Sequence, residues 1–322
     1  MQDHKQLFQE QSKSWTLAGD NYRALSKVVF KDFQMDDFRI RLQCNPGRIV
    51  STSANVSKGA IQARPCFLCA KNRPDEQTYQ TFANGDNLDS EFQILVNPFP
   101  VFPEHFTIAA TKHQPQTIKG NLVTLLKLAN TMDDCVVFYN GPRCGASAPD
   151  HLHFQAGSKG LMPLESDYKD WKKTHLSTLW KDKGIEVYKM EGFLRNGFVL
   201  EGNDLAELNR NFELLFGLLE ASNTTPNEES MLNLLCWFEK GNWICVLFPR
   251  KAHRPKCYFR EDETKLMISP ASVEMGGLMI AARLEDYERI GINEIKEIYG
   301  DVSASRTDID LLSEQFLKKQ KV

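Results

Sequence analysis

The stretch Asp150-His151-Leu152-His153-Phe154-Gln155 carries the reading of the whole chain. In a β-strand successive side chains point to opposite faces. His151, His153 and Gln155, spaced i, i+2 and i+4, therefore fall on one face, with Leu152 and Phe154 on the other. The apolar face anchors in a core, and the opposite face presents two imidazoles and an amide in a row. Just before it, Gly141-Pro142-Arg143-Cys144-Gly145-Ala146-Ser147 reads as a loop whose backbone N–H groups and hydroxyl suit an anion. A neutral imidazole nitrogen can attack an α-phosphate to give a phosphoramidate. The plainer alternative is a half-buried strand whose polar face carries two histidines without chemistry.

Outward from this stretch, strands and helices mix without regular βαβ alternation. Phe38–Cys44 alternates as a strand and stops at the turn Asn45-Pro46-Gly47. Phe92–Val96 and His105–Ala110 read as strands on either side of a bend whose three prolines, Pro98, Pro100 and Pro103, forbid a helix. Leucines between Thr117 and Asp134 have helical spacing, and Val136–Tyr139 is again a strand. Residues 1–30 read as a helical entry segment and Ser51–Lys58 as a loop. In the second half, helices are expected near 167–181, 203–221 and 283–297, and strands near 231–238 and 243–248. The order predicts an α+β fold with an antiparallel sheet rather than a doubly wound one. Trp243–His253 weakly echoes Ile94–His113, which suggests an internal repeat.

Composition narrows the function classes. The 322 residues include 39 basic and 42 acidic ones, a net charge of −3, so the basic surplus of a dedicated nucleic-acid binder is missing. No run approaches the ~18 apolar residues of a membrane span. The polar start Met1–Gln6 lacks the apolar core of a secretory signal, so a cytoplasmic, membrane-free protein is expected. Eight cysteines are too sparse for a disulfide scaffold. Cys66-Phe67-Leu68-Cys69 alone has metal-knuckle spacing; a redox pair or two plain thiols are the competing readings.

Gly145-Ala146-Ser147 through His151-Leu152-His153-Phe154-Gln155 resembles the H-x-H-x-Q signature of the histidine-triad superfamily. It is most similar to the transferase branch: galactose-1-phosphate uridylyltransferase, diadenosine tetraphosphate phosphorylase and GDP-L-galactose phosphorylase. Asn97 to His113 resembles a second segment of that superfamily, and Cys44–Arg48 resembles an N-terminal segment of the phosphorylases. Asn233-Leu234-Leu235, Trp243 and Phe248-Pro249-Arg250 resemble their second lobe. The resemblance implies a histidine-triad-like antiparallel sheet flanked by helices. It implies a catalytic lobe with a zinc knuckle over residues 1–165 and a degenerate second lobe of similar type over 166–322.

The resemblance also assigns roles. His153 corresponds to the nucleophile, Ser147 to a phosphate-binding serine, Asn97 to the residue that holds the ribose, and Asn140 to a phosphate contact. Arg48, in the N-terminal segment, is a candidate phosphate clamp. Cys66, Cys69, His113 and His151 correspond to the ligands of one structural zinc. The implied function is nucleotidyl transfer from a nucleoside diphosphate sugar or dinucleoside polyphosphate to phosphate or a sugar phosphate, through a covalent nucleotidyl-histidine. A non-catalytic nucleotide-binding protein and a nucleotide hydrolase are the alternatives, and a homodimer is left open. Gln155 favours transfer: its amide can hydrogen-bond a phosphoryl oxygen but cannot act as a general acid.

Overall fold

The computed structural model describes residues 3–35, 38–53, 55, 57–83, 91–191 and 194–321. Its strands in chain order are β1 (Val29–Met35), β2 (Phe38–Cys44), β3 (Tyr79–Ala83), β4 (Glu91–Val96), β5 (His105–Ala110), β6 (Cys135–Asn140) and β7 (His153–Ser158). The second half adds β8 (Leu176–Asp182), β9 (Ile185–Met190), β10 (Phe198–Gly202), β11 (Leu232–Glu239), β12 (Asn242–Pro249) and β13 (Leu278–Ala281). Ten of them form one sheet in the order β3-β4-β5-β7-β6-β11-β12-β10-β9-β8. Every pairing in it is antiparallel. The other three build a small sheet, β1-β2-β13.

The large sheet contains the same half twice. From one edge the order is β3-β4-β5-β7-β6; from the other it is β8-β9-β10-β12-β11. Each half places a helix between its third and fourth strands, Leu122–Thr131 in the first and Leu205–Ser222 in the second. The halves meet where β6 pairs with β11. In this repeat β12 is the counterpart of β7, so the weak echo between Ile94–His113 and Trp243–His253 joins strands that are not equivalent. The copies diverge at one connection. Residues 141–152 separate β6 from β7, but only Lys240 and Gly241, both in the left-handed region at φ 52° and 83°, join β11 to β12. A two-residue turn of this kind closes a tight hairpin. The second half therefore has no room for the anion-type loop, which is the physical content of its degeneracy.

Both faces of the sheet are covered. Leu152, Phe154 and Ala156 enter the core beneath the helices Leu122–Thr131 and Leu205–Ser222. Phe102, Phe138, Leu235 and Phe248 lie in the core on the opposite face, with β2 and β13.

Three sequence expectations change. The helix expected over 167–181 is a helix over Pro163–Thr174 followed by β8. Lys183 and Gly184, at φ 47° and 76°, turn the chain so that β8 pairs with β9, and that ladder overrides helical propensity. The helix expected over 283–297 is interrupted at Gly291, which caps the start of a second helix, Ile292–Val302. The helical entry ends at Leu25, and Val29–Met35 is a strand paired with β2. Within Ser51–Lys58, Ala54 and Val56 lie outside the described residues. No helix among the described residues is long and apolar enough to cross a membrane.

Candidate active site

β7 begins at His153, so His151 lies in the bend before the strand rather than on it. The two imidazoles therefore do not stand in a row; they are divided between two jobs. The His151 ring turns back toward the C-x-x-C. Its Nδ1 lies 3.3 Å from Cys66 Sγ and 3.6 Å from Cys69 Sγ, and His113 Nδ1 lies 3.3 Å from Cys69 Sγ. The four ligand atoms fall within 4.8 Å of one another. A tetrahedral zinc with bonds of ~2.3 Å to sulfur and ~2.05 Å to nitrogen has S···N edges of about 3.5 Å, so this donor set fits the ion. The His151 Nε2–H donates to the Ala110 carbonyl at 2.7 Å, which leaves Nδ1 as the lone-pair nitrogen facing the thiols. The redox and plain-thiol readings of Cys66 and Cys69 do not account for two imidazoles turned toward them.

The His153 ring is fixed by the same bend. Its Nδ1 lies 2.8 Å from the His151 carbonyl, which only accepts, so Nδ1 carries the proton and Nε2 the lone pair. Burial pushes its pKa down to about 4, so the ring is neutral at physiological pH. Gln116, for which the sequence offered no signal, holds the backbone at this point. Its Oε1 accepts from His153 N–H at 2.8 Å, and its Nε2 donates to the His153 carbonyl at 3.0 Å and the Asn140 carbonyl at 2.9 Å. One buried amide thus does the work of a short strand where the β6–β7 ladder ends.

Gln155 sits on the same face as His153 and is oriented from behind. The backbone N–H of Val101 donates to Nδ1 of His105 at 3.3 Å, so the proton of that imidazole is on Nε2. Nε2–H in turn donates to Gln155 Oε1 at 3.0 Å. The Gln155 amide is left with its NH2 group outward, a donor and not an acceptor. His105 is boxed by Phe102 and Phe138, with ring centroids 5.4 and 6.0 Å away. Burial, helped by the positive charge of Arg48, pushes its pKa down to about 3, so it stays neutral. The Phe102 ring fits there because β7 carries Gly157, where a Cβ would lie 2.3 Å from it.

The remaining candidates are placed less directly. Continuing the β6–β7 register two residues beyond Phe138↔Gln155 sets Asn140 opposite His153. Asn97 closes a local turn, its Oδ1 accepting from Phe99 N–H at 2.9 Å and its Nδ2 donating to Thr107 Oγ1 at 3.2 Å; Thr107 lies across the ladder from Gln155. Arg48 is half-buried beneath the proline bend and donates to the Phe99 carbonyl at 2.6 Å. Ser147 is half-buried in the loop, where its carbonyl accepts from Arg64, and Arg64 also pairs with Asp150 at 2.9 Å. Arg143 turns away from the loop to Glu228 and Thr225.

Two family models divide the chain between them. Residues 7–158 match a domain of unknown function, DUF4922, and residues 169–321 match the GDPGP1-like C-terminal domain. Diadenosine 5',5'''-P1,P4-tetraphosphate phosphorylase 2 of Saccharomyces cerevisiae is 34% identical over 109 residues, 27% of this chain and 33% of the yeast protein. GDP-L-galactose phosphorylase 2 of Arabidopsis thaliana is 25% identical over 267 residues, 74% of this chain and 58% of the plant protein. The chain thus spans less than two thirds of the length of either relative. The crystal structure of yeast Ap4A phosphorylase Apa2 in complex with AMP matches at a TM-score of 0.53 and 19% identity, over 91% of this chain and 96% of that one, which shows a shared fold. Together with the H-x-H-x-Q strand, these matches support the likeness of the chain to the galactose-1-phosphate uridylyltransferase, diadenosine tetraphosphate phosphorylase and GDP-L-galactose phosphorylase branch of the histidine-triad superfamily.

Proposed function

We propose that this protein transfers a nucleoside monophosphate from a nucleoside diphosphate sugar or dinucleoside polyphosphate to inorganic phosphate or a phosphorylated acceptor, through a nucleotide carried on His153. The observation that carries this reading is the fixed tautomer of His153: a buried, neutral imidazole with Nδ1–H tied to the His151 carbonyl and its lone pair on Nε2. The lone pair of Nε2 forms the N–P bond as the P–O bond to the leaving phosphate or sugar phosphate breaks. An acceptor phosphate oxygen then attacks, the N–P bond breaks, and Nε2 regains its lone pair. Neither step needs the protein to gain or lose a proton overall. That balance suits Gln155, which offers N–H groups to the charged phosphoryl oxygens and has no proton to relay. Asn140, Ser147 and Arg48 complete the phosphate contacts in this reading, and Asn97 holds the ribose.

Cys66, Cys69, His113 and His151 would hold zinc in a closed structural site. Its effect on the reaction is positional, because the carbonyl of His151 accepts the hydrogen bond of His153 Nδ1–H. Elemental analysis should find about one zinc per chain, as expected for a four-ligand site. Cys66→Ser should lower zinc content, melting temperature and transfer rate together. A metal-free wild type with full stability would refute the zinc assignment.

The direct test of the function is covalent trapping. Donor labelled in its α-phosphate should leave label on alkali-denatured wild type and none on His153→Ala. Steady-state lines should run parallel when donor and acceptor are varied, since the first product leaves before the acceptor binds. Gln155→His should raise hydrolysis relative to transfer by about 100-fold, the lower end of the range for general acid–base assistance. Its ring would accept from His105 through one nitrogen and aim the other into the site. Intersecting lines, or a wild type that hydrolyses its donor as fast as it phosphorolyses it, would overturn the assignment.

A further inference from the structure

The second half of the chain reaches the site through Asn233 and Arg250, two residues of motifs that catalysis by His153 does not itself use. Asn233, on β11, is fully buried and lies directly across the strand pair from Asn140. Arg250 follows β12 and is also buried. Its guanidinium donates to the carbonyls of Val302 (3.1 Å), Pro270 (3.1 Å), Ala252 (3.1 Å) and His253 (3.3 Å), and to Oδ1 of Asn233. Among the described residues no carboxylate touches it; Glu274 supplies a negative charge nearby without contact. A buried cation held only by neutral oxygens is a costly arrangement, and packing alone gives no reason for it.

Three groups that act in one direction only fix the amides between Arg250 and Asn140. A guanidinium can only donate, so Asn233 turns Oδ1 toward Arg250 and Nδ2 away. The Cys144 carbonyl can only accept, and Asn233 Nδ2 donates to it at 2.8 Å, which fixes the same orientation independently. Asn233 Nδ2 also donates to Asn140 Oδ1 at 3.2 Å. The backbone N–H of Ser272 can only donate, and it reaches the same Oδ1 at 2.8 Å. Both acceptor positions of Asn140 Oδ1 are therefore filled, and a flipped amide would set N–H against N–H at both contacts. What remains of Asn140 is its NH2 group, on the sheet face that carries His153, and no described residue accepts from it. The loop closes over the same point: a Cβ on Gly145, at φ 107°, would lie 2.4 Å from Ala271 Cβ and 3.4 Å from Asn140 Oδ1.

We propose that Asn233 and Arg250 are positioning residues that lock Asn140 as a hydrogen-bond donor to a phosphoryl oxygen of the nucleotide. The site in the first half is then complete only when the second half is docked on it. This rests on the nucleotide-transfer reading above, and it adds that a relay of amides from outside the first half sets the polarity of the phosphate contact.

The test is a double-mutant cycle on the full chain. Asn140→Ala, Asn233→Asp and the double variant are compared for GMP and AMP binding by calorimetry, and for turnover of GDP-L-galactose and diadenosine tetraphosphate with inorganic phosphate. In Asn233→Asp the new carboxylate still accepts from Arg250 but cannot donate to Asn140. Each single variant should lose roughly 100- to 1000-fold in kcat/KM, as for removal of one preorganised donor. The double variant should be no worse than Asn140→Ala alone. Melting temperatures separate this from unfolding, and Asn233→Ala is read in the same cycle if the aspartate variant does not fold. Independent, multiplying losses, or an Asn233→Asp variant with wild-type binding and turnover, would overturn the positioning role. If the wild type binds neither nucleotide and turns over neither donor, the transfer reading fails first and this inference falls with it.

Discussion

His153→Ala should lower nucleotidyl transfer by at least about 10⁴-fold while the protein stays folded, the scale seen when a covalent nucleophile is removed. The lost ring leaves a small cavity and deprives the His151 carbonyl of one donor, a cost of about 1–3 kcal/mol that a chain with two extensive cores can bear. Circular dichroism and zinc content should match wild type. A variant that keeps even a hundredth of the activity would move the covalent step to another residue.

The same ring predicts the pH profile. Its pKa lies near 4 rather than 6.5, so kcat/KM should stay flat through the range in which an exposed histidine titrates and fall only near pH 4. Stability should also move with pH. His153 and His105 both have folded-state values below the unfolded one, so the unfolded chain binds their protons first as pH falls. These two rings should therefore cost stability as pH falls below about 6.5, down to about 4 for His153 and about 3 for His105, while Glu165, whose carboxyl is pushed up to about 7 by burial, acts in the opposite direction. His153→Ala should lose less than wild type over the same interval in urea titrations.

Gln155→Glu should cost about 10²–10³-fold in kcat/KM at pH 7 to 8, comparable to the loss of an oxyanion donor with added charge repulsion. The tautomer of His105 is what makes this substitution harsh. Nε2–H must point at residue 155, so one oxygen of the new carboxylate is held by His105 and the other faces the phosphoryl group. A donor to phosphate becomes a negative charge beside it. The fold should not suffer, since the carboxylate accepts the His105 hydrogen bond at least as well as the amide does. Protonating the introduced carboxylate at lower pH should restore part of the activity, which gives the variant an acid-side rise that wild type lacks. Activity within about 3-fold of wild type, under a kcal/mol, would mean that the amide does not meet the phosphoryl oxygens.

The sequence by itself determined the chemistry-bearing strand and much of its surroundings. The alternation at 150–155 assigned Leu152 and Phe154 to a core face and His151, His153 and Gln155 to the other, and the assignments hold for all but His151, which lies in the bend before the strand. The proline bend between β4 and β5, the strand pair β11–β12 and the helix Leu205–Ser222 were readable from local periodicity and turn residues. Such signals live within a few residues of one another, which is why a sequence can carry them. Local signals misled where a distant pairing outweighed them, as at β8, or where a single residue changed a ring's task, as at His151.

Only the tertiary structure decided the charge and direction of the groups in the site. Whether an imidazole presents a lone pair or a proton, and which end of an amide faces the ligand, depends on the one-way donors and acceptors behind it. For His153 that group is a neighbouring carbonyl. For Gln155 it is a histidine fifty residues earlier, and for Asn140 it is an arginine and a backbone N–H from the far half of the chain. No composition or spacing encodes those contacts. Those to Asn140 arise because two copies of one five-strand unit pack edge to edge through β6 and β11, which buries Asn233 and Arg250 beside it.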